Sequence, residues 1–132
     1  MTPAEREETF RALRSVLQTA GAGLTIAADS PTRFCLEAKV GPATLRAWKG
    51  KLRSPTIPVA WVECGKVHVS YHLMGISGRA DVIADLSDAL RARMQGKACF
   101  NFKGPDSKLL AELARVTGRV LAGMQKAGYT AE

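Results

Sequence analysis

The chain has 132 residues, 46% of them apolar, three cysteines and a formal net charge of +7. That length fits one domain with a self-sufficient core, so neither a disulfide framework nor a structural metal is needed to explain folding. The positive charge favours contact with something anionic, such as nucleic acid, an acidic metabolite or an acidic partner; a charge that merely keeps the domain dispersed is the plainer alternative.

Cys35, Cys64 and Cys99 are widely spaced. No C-x-x-C pair occurs, which argues against a zinc ribbon or a redox motif. Free thiols suit a reducing cytosol. Met1 to Phe10 is charged and lacks the apolar core of a signal peptide, and no apolar run approaches the length of a membrane span. The expectation is a cytoplasmic protein with no membrane contact.

Thr2-Pro3-Ala4-Glu5 opens a helix, because threonine can cap, proline suits the first helical position and glutamate three residues on completes a capping box. Phe10, Leu13 and Leu17 give that helix one apolar stripe. Gly21 and Gly23 stop it. Leu24 to Ala28 reads as a short strand with Leu24, Ile26 and Ala28 on one face. Asp29-Ser30-Pro31-Thr32 is a turn. Arg33 to Val40 is the second strand, with Phe34, Leu36, Ala38 and Val40 opposed to Arg33, Cys35, Glu37 and Lys39.

Gly41 to Pro58 holds two glycines and three prolines, and also Arg46, Lys49, Lys51 and Arg53 with Trp48 among them. It reads as a long, mobile basic loop. Val59 to Cys64 is the third strand, and a two-residue Gly65-Lys66 turn leads into the fourth. That turn would set Cys64 against Val67, Val62 against Val69 and Ala60 against Tyr71. It would also set Glu63 against His68 and Trp61 against Ser70. From Lys66, Val67, Val69, Tyr71 and Leu73 alternate with His68, Ser70, His72 and Met74, the pattern of a half-buried strand.

Val82, Ile83 and Leu86 suggest a short helix, and Ser87 can cap another that carries Leu90 and Met94 up to Gly96. Lys97 to Lys103 is the fifth strand. Asp106 can cap the last helix, whose apolar face is Leu109, Leu113, Val116, Val120 and Met124. The order implies a single α+β domain: a mostly antiparallel sheet of about five strands, with the N- and C-terminal helices on one face.

At Gly65-Lys66-Val67-His68-Val69-Ser70-Tyr71-His72-Leu73-Met74, and at Arg93-Met94-Gln95-Gly96-Lys97-Ala98-Cys99-Phe100-Asn101-Phe102-Lys103, the sequence resembles a group of small bacterial proteins of unknown function and is similar to the YdhG-like domains. Those share a helix, an antiparallel sheet, and a strand ending in a Phe-x-Phe pattern before the final helix. Some are described as frataxin-like iron chaperones, so the resemblance implies iron binding as one alternative. Iron in such proteins is held by oxygen ligands. The one acidic cluster here, Glu5, Glu7 and Glu8, has Arg6, Arg11 and Arg14 beside it.

No P-loop, G-x-S-x-G, G-x-G-x-x-G or H-E-x-x-H appears. His68 and His72 share a strand face, but positions four apart on a strand lie about 13 Å apart. A metal–nitrogen bond is about 2 Å, so the pair does not make one ion site. Cys99 could serve as a nucleophile with a histidine on a neighbouring strand, which would need a base in reach and a depressed pKa; a half-buried inert thiol is the simpler account. Asp81 and Asp85, four apart on a helix, read as solvated carboxylates. Arg46, Trp48, Lys49, Lys51 and Arg53 have the ingredients for phosphate contacts with base stacking. The leading expectation is a non-enzymatic binding or interaction domain. Its open sheet face would display Cys35, Trp61, His68, Ser70, His72, Met74, Cys99 and Asn101 to a partner, with a homodimer as one simple outcome.

Overall fold

Helix α1 (Pro3–Ala20) begins where its cap lies. Glu5 N–H donates to Thr2 Oγ1 at 3.1 Å, and Thr2 N–H donates to Glu5 Oε1 at 3.2 Å. This computed structural model of the chain describes residues 1–49, 51 and 54–131. After α1 come strands β1 (Thr25–Asp29) and β2 (Arg33–Lys39), helix α2 (Pro42–Trp48), and strands β3 (Thr56–Cys64) and β4 (Val69–Leu73). A 3-10 turn (Met74–Gly78), helices α3 (Ala80–Ala84) and α4 (Asp88–Arg91), strands β5 (Met94–Gln95) and β6 (Cys99–Phe102), and helix α5 (Ser107–Lys126) complete it.

The strands form one six-stranded sheet in the order β1-β2-β3-β4-β6-β5, and every neighbouring pair is antiparallel. The expected α+β architecture is therefore present, with a short sixth strand added. Helices α1 and α5 pack on each other. Phe10, Leu13 and Leu17 from α1 and Leu109, Leu113, Val116 and Val120 from α5 share one core with Phe34, Leu36, Val62, Val69, Tyr71, Leu73, Phe100 and Phe102 of the sheet. A buried polar link ties α5 to the middle of the sheet: Tyr71 Oη lies 2.6 Å from Thr117 Oγ1, which donates to the Leu113 carbonyl at 2.7 Å. Among the described residues no helix is long and apolar enough to cross a membrane.

Several local expectations are corrected. The stretch 41–58 is not one long loop, because α2 occupies Pro42–Trp48 and β3 starts at Thr56. Gly41 is extended at the N-cap and Pro42 takes the first turn, where its missing N–H costs nothing. The C-terminal turn then anchors the helix: Ala43 N–H donates to the Gly128 carbonyl at 2.8 Å, and Thr44 Oγ1 donates to the Tyr129 carbonyl at 2.7 Å. Gly50, Leu52 and Arg53 of this stretch lie outside the described residues.

The β3–β4 connection is longer than the expected two residues. Gly65 N–H donates to the His68 carbonyl at 2.9 Å, and Cys64 pairs with Val69. The register is displaced by two residues, so Val62 meets Tyr71, Trp61 meets His72 and Glu63 meets Ser70. An even displacement keeps every side chain on its expected face while changing every cross-strand partner.

Met94 lies beyond α4, in β5, where Met94 pairs with Phe100 and Gln95 with Cys99. Gly96, at φ 75°, allows this tight return. In β1 the register shifts between Ile26 and Ala28, which oppose Leu36 and Cys35. Leu36 and Cys35 are adjacent and point to opposite faces, so the bulge parts Ile26 from Ala28.

Candidate binding face of the sheet

The helices cover one face of the sheet, and the strand period assigns the other to the alternate residues. Antiparallel pairing aligns these into rows. One row crosses all six strands: Ala28, Cys35, Trp61, His72, Cys99 and Gln95. The next row carries Arg33, Glu63, Ser70 and Asn101.

At the centre, the Trp61 and His72 rings stack with centroids 4.7 Å apart and planes 15° from parallel. Cys99 Sγ lies 3.9 Å from His72 Nε2 and donates to Asn101 Oδ1 at 3.4 Å. Arg33 Nε donates to Glu63 Oε1 at 3.1 Å, forming a half-exposed ion pair at one side of the stack. Thr56 Oγ1 donates to Glu37 Oε1 at 2.6 Å on the adjoining part of β3 and β2. The face thus offers an aromatic centre with amides, hydroxyls and one ion pair around it.

The electrostatics favour neutral groups at the centre. Burial pulls the His72 imidazole below its ordinary value; Glu63 opposes that shift and Arg33 adds to it. Burial likewise pushes the Cys99 thiol up. The 3.9 Å separation makes Cys99 and His72 neighbours, while burial shifts the thiol in the direction opposite to the lowered pKa that activates a nucleophilic cysteine.

Trp61, His72 and Cys99 share one row as side chains of a single face, with Ser70 and Asn101 beside them. Three other expected members differ. Cys35 belongs to the same row but is buried, flanked by Ala28 and Trp61 on neighbouring strands. His68 lies in the turn before β4 and does not oppose Glu63, because the longer turn gives that place to Ser70. Met74 opens the 3-10 turn at the end of the face and lines a separate cleft. Of the basic residues, Arg46 lies in α2, Lys49 is its left-handed C-cap, and Lys51 follows. Trp48 ends α2 and is exposed. Arg53 lies outside the described residues.

Sequence alternation puts Arg33 and Glu63 on this side of their strands but does not pair them, and it gives no sign of Gln95, which the sequence pattern assigns to a helix. The Arg33–Glu63 pairing depends on register, which alternation leaves open by steps of two. The acidic residues that an iron role would call on are differently engaged: Glu5 closes the helix cap and Glu7 pairs with Arg11 at 2.7 Å. Asp81 and Asp85 also have basic partners, Arg79 for Asp81 and Arg119 for both. Among the described residues no three His, Cys, Asp or Glu side chains cluster in a way that could hold a metal ion. Comparison of the chain with protein-family models, with curated proteins and with solved structures finds no match.

Proposed function

We propose that this chain is a non-enzymatic binding domain whose open sheet face meets a partner, in the simplest case a second copy of itself. The supporting observation is the Trp61–His72 stack, central in a row that crosses the sheet on the side opposite α1 and α5. Tryptophan is enriched among residues that anchor interfaces, and a rim of hydrogen-bonding groups such as Arg33, Glu63, Ser70 and Asn101 is the usual surround. Two copies related by a two-fold axis would each present the Arg33–Glu63 pair to the other, so opposite charges could exchange partners. The three unpaired thiols fit a reducing cytosol as the place of action.

Sedimentation velocity over a wide concentration range tests this. Association is expected for the wild type, and Trp61→Ala should weaken it about tenfold or more, the usual effect of losing a hot-spot side chain. A wild type that stays monomeric at the highest concentration, with Trp61 emission in a Trp48→Phe background freely quenched by acrylamide, would rule out self-association.

The 3.9 Å approach of Cys99 to His72 favours one second reading, a small enzyme with a cysteine site. Alkylation of Cys99 by iodoacetamide near neutral pH separates the two. Slow reaction, as for an ordinary thiol, excludes the nucleophile; fast reaction suppressed by His72→Ala supports it.

A further inference from the structure

At one end of the sheet lies a cleft of about 540 Å³, separate from the row of Trp61, His72 and Cys99. Such a volume is typical of sites for small organic molecules. Its walls include Trp48, Tyr129, Met74, Met124, Ile57 and Val120. Three of these are large apolar side chains left exposed by the chain itself: Trp48 at 58%, Tyr129 at 51% and Met74 at 45%. Single exposed apolar residues are ordinary, but three gathered around one concavity mark a binding site.

The walls are fixed by backbone bonds. Gly41 N–H and Thr44 Oγ1 both donate to the Tyr129 carbonyl, at 2.9 and 2.7 Å, and Tyr129 N–H donates to the Met124 carbonyl at 2.9 Å. Helix α2, which carries Trp48, is thereby tied to the turn that carries Tyr129. A ligand would not have to order this wall.

Among the described residues, Arg79 is the one charged residue lining the cleft. Its Nε and Nη2 donate to the two Asp81 oxygens, each at 3.0 Å. Those bonds fix the plane of the guanidinium. Its Nη1 lies against Gly123 on the cleft wall, so close that a side chain at Gly123 would collide with it. Among the described residues Nη1 has no acceptor. Asp81 and Asp85 are offset locally by Arg79 and Arg119, and the chain as a whole carries +7, so an incoming anion is not repelled.

We propose that this cleft binds a small apolar carboxylate, with its hydrocarbon or ring body among Trp48, Tyr129, Met74 and Met124 and its carboxylate on Arg79 Nη1. Aromatic faces and thioethers suit a flat or flexible apolar body, and guanidinium suits a carboxylate.

Methyl NMR of protein labelled at methionine tests this, using phenylbutyrate and octanoate as probes and phenylbutyramide as the uncharged control. Met74 and Met124 line the cleft, whereas Met1 and Met94 do not. The carboxylates should shift Met74 and Met124 saturably and leave Met1 and Met94 in place. Phenylbutyrate should bind the wild type about tenfold or more tightly than the amide, as expected for a hydrogen bond to a charged group. Arg79→Gln should remove that preference and leave amide binding unchanged. Gly78 also lines the cleft, and a Cβ there would meet no atom within 4 Å, so the backbone accepts a side chain. Gly78→Phe should therefore block the cleft with the fold intact, as judged by unchanged Met94 signals. Absence of saturable shifts at Met74 and Met124 overturns the proposal, as does equal affinity for acid and amide. Shifts at those two methyls that follow protein concentration without any probe would instead assign the cleft to a second copy.

Discussion

Thr117→Val probes how the last helix is fixed beneath the open face. Tyr71 and Thr117 are both fully buried. Because the Thr117 hydroxyl donates to Leu113, its oxygen is the acceptor for the Tyr71 O–H. Burial also pushes the Tyr71 phenol above its usual range, so it stays protonated throughout the accessible pH range. Valine keeps the shape of threonine but leaves that O–H buried without an acceptor, at a cost of about 1–3 kcal/mol. Tyr71→Phe loses the bond yet leaves Thr117 bonded to Leu113, which costs about 1 kcal/mol. The double variant strands nothing further on the tyrosine side, so it should cost little more than Tyr71→Phe alone. The expected coupling is therefore about 1–2 kcal/mol. With a urea m-value of about 1–3 kcal/mol/M, Thr117→Val should lower the unfolding midpoint by about 1 M. Full urea curves for the four proteins of the cycle supply the measurement. Additive single effects, or a Thr117→Val midpoint within about 0.2 M of wild type at unchanged m, would refute this account of the α5–sheet link.

Three further outcomes are expected. In a Trp48→Phe background, Trp61 emission should drop on acidification with a midpoint below pH 6.5, because burial depresses the stacked His72; the matching stability is present in full above pH 6.5 and is lost as pH falls through the lowered folded-state value, and His72→Gln should abolish both changes. Gly41→Ala sets a side chain against the Gly128 and Thr130 carbonyl oxygens, which are backbone and cannot rotate away; chemical denaturation should show a loss of about 1–3 kcal/mol, with a smaller loss of about 1–2 kcal/mol for Gly128→Ala at φ 82°. If Arg46, Lys49 and Lys51 contact the phosphates of a single strand, affinity should fall with salt at a log–log slope of about −2, from about −0.7 per contact; no binding to an oligonucleotide at low salt would end the nucleic-acid reading.

The sequence by itself determined most of the local elements, though not α2 or β5, and which side of each central strand is apolar. Thr2, Pro3 and Glu5 cap α1 through bonds between near neighbours, so their pattern is enough to place the helix start. Val69, Tyr71 and Leu73 alternate with Ser70 and His72 because a strand sends successive side chains to opposite faces. Tertiary structure alone decided the partners. Alternation survives a displacement by two residues, so only the longer turn, closed by Gly65 N–H on the His68 carbonyl, sets Trp61 against His72 and moves His68 off the face. Helix α2 was hidden because its seven residues lie in a stretch broken by Gly41, Gly50, Pro55 and Pro58, and so short a helix is held by a contact with residues 128–130, far along the chain. The same long-range contact brings Trp48 to Tyr129 and forms the cleft wall, a juxtaposition that no local pattern can carry.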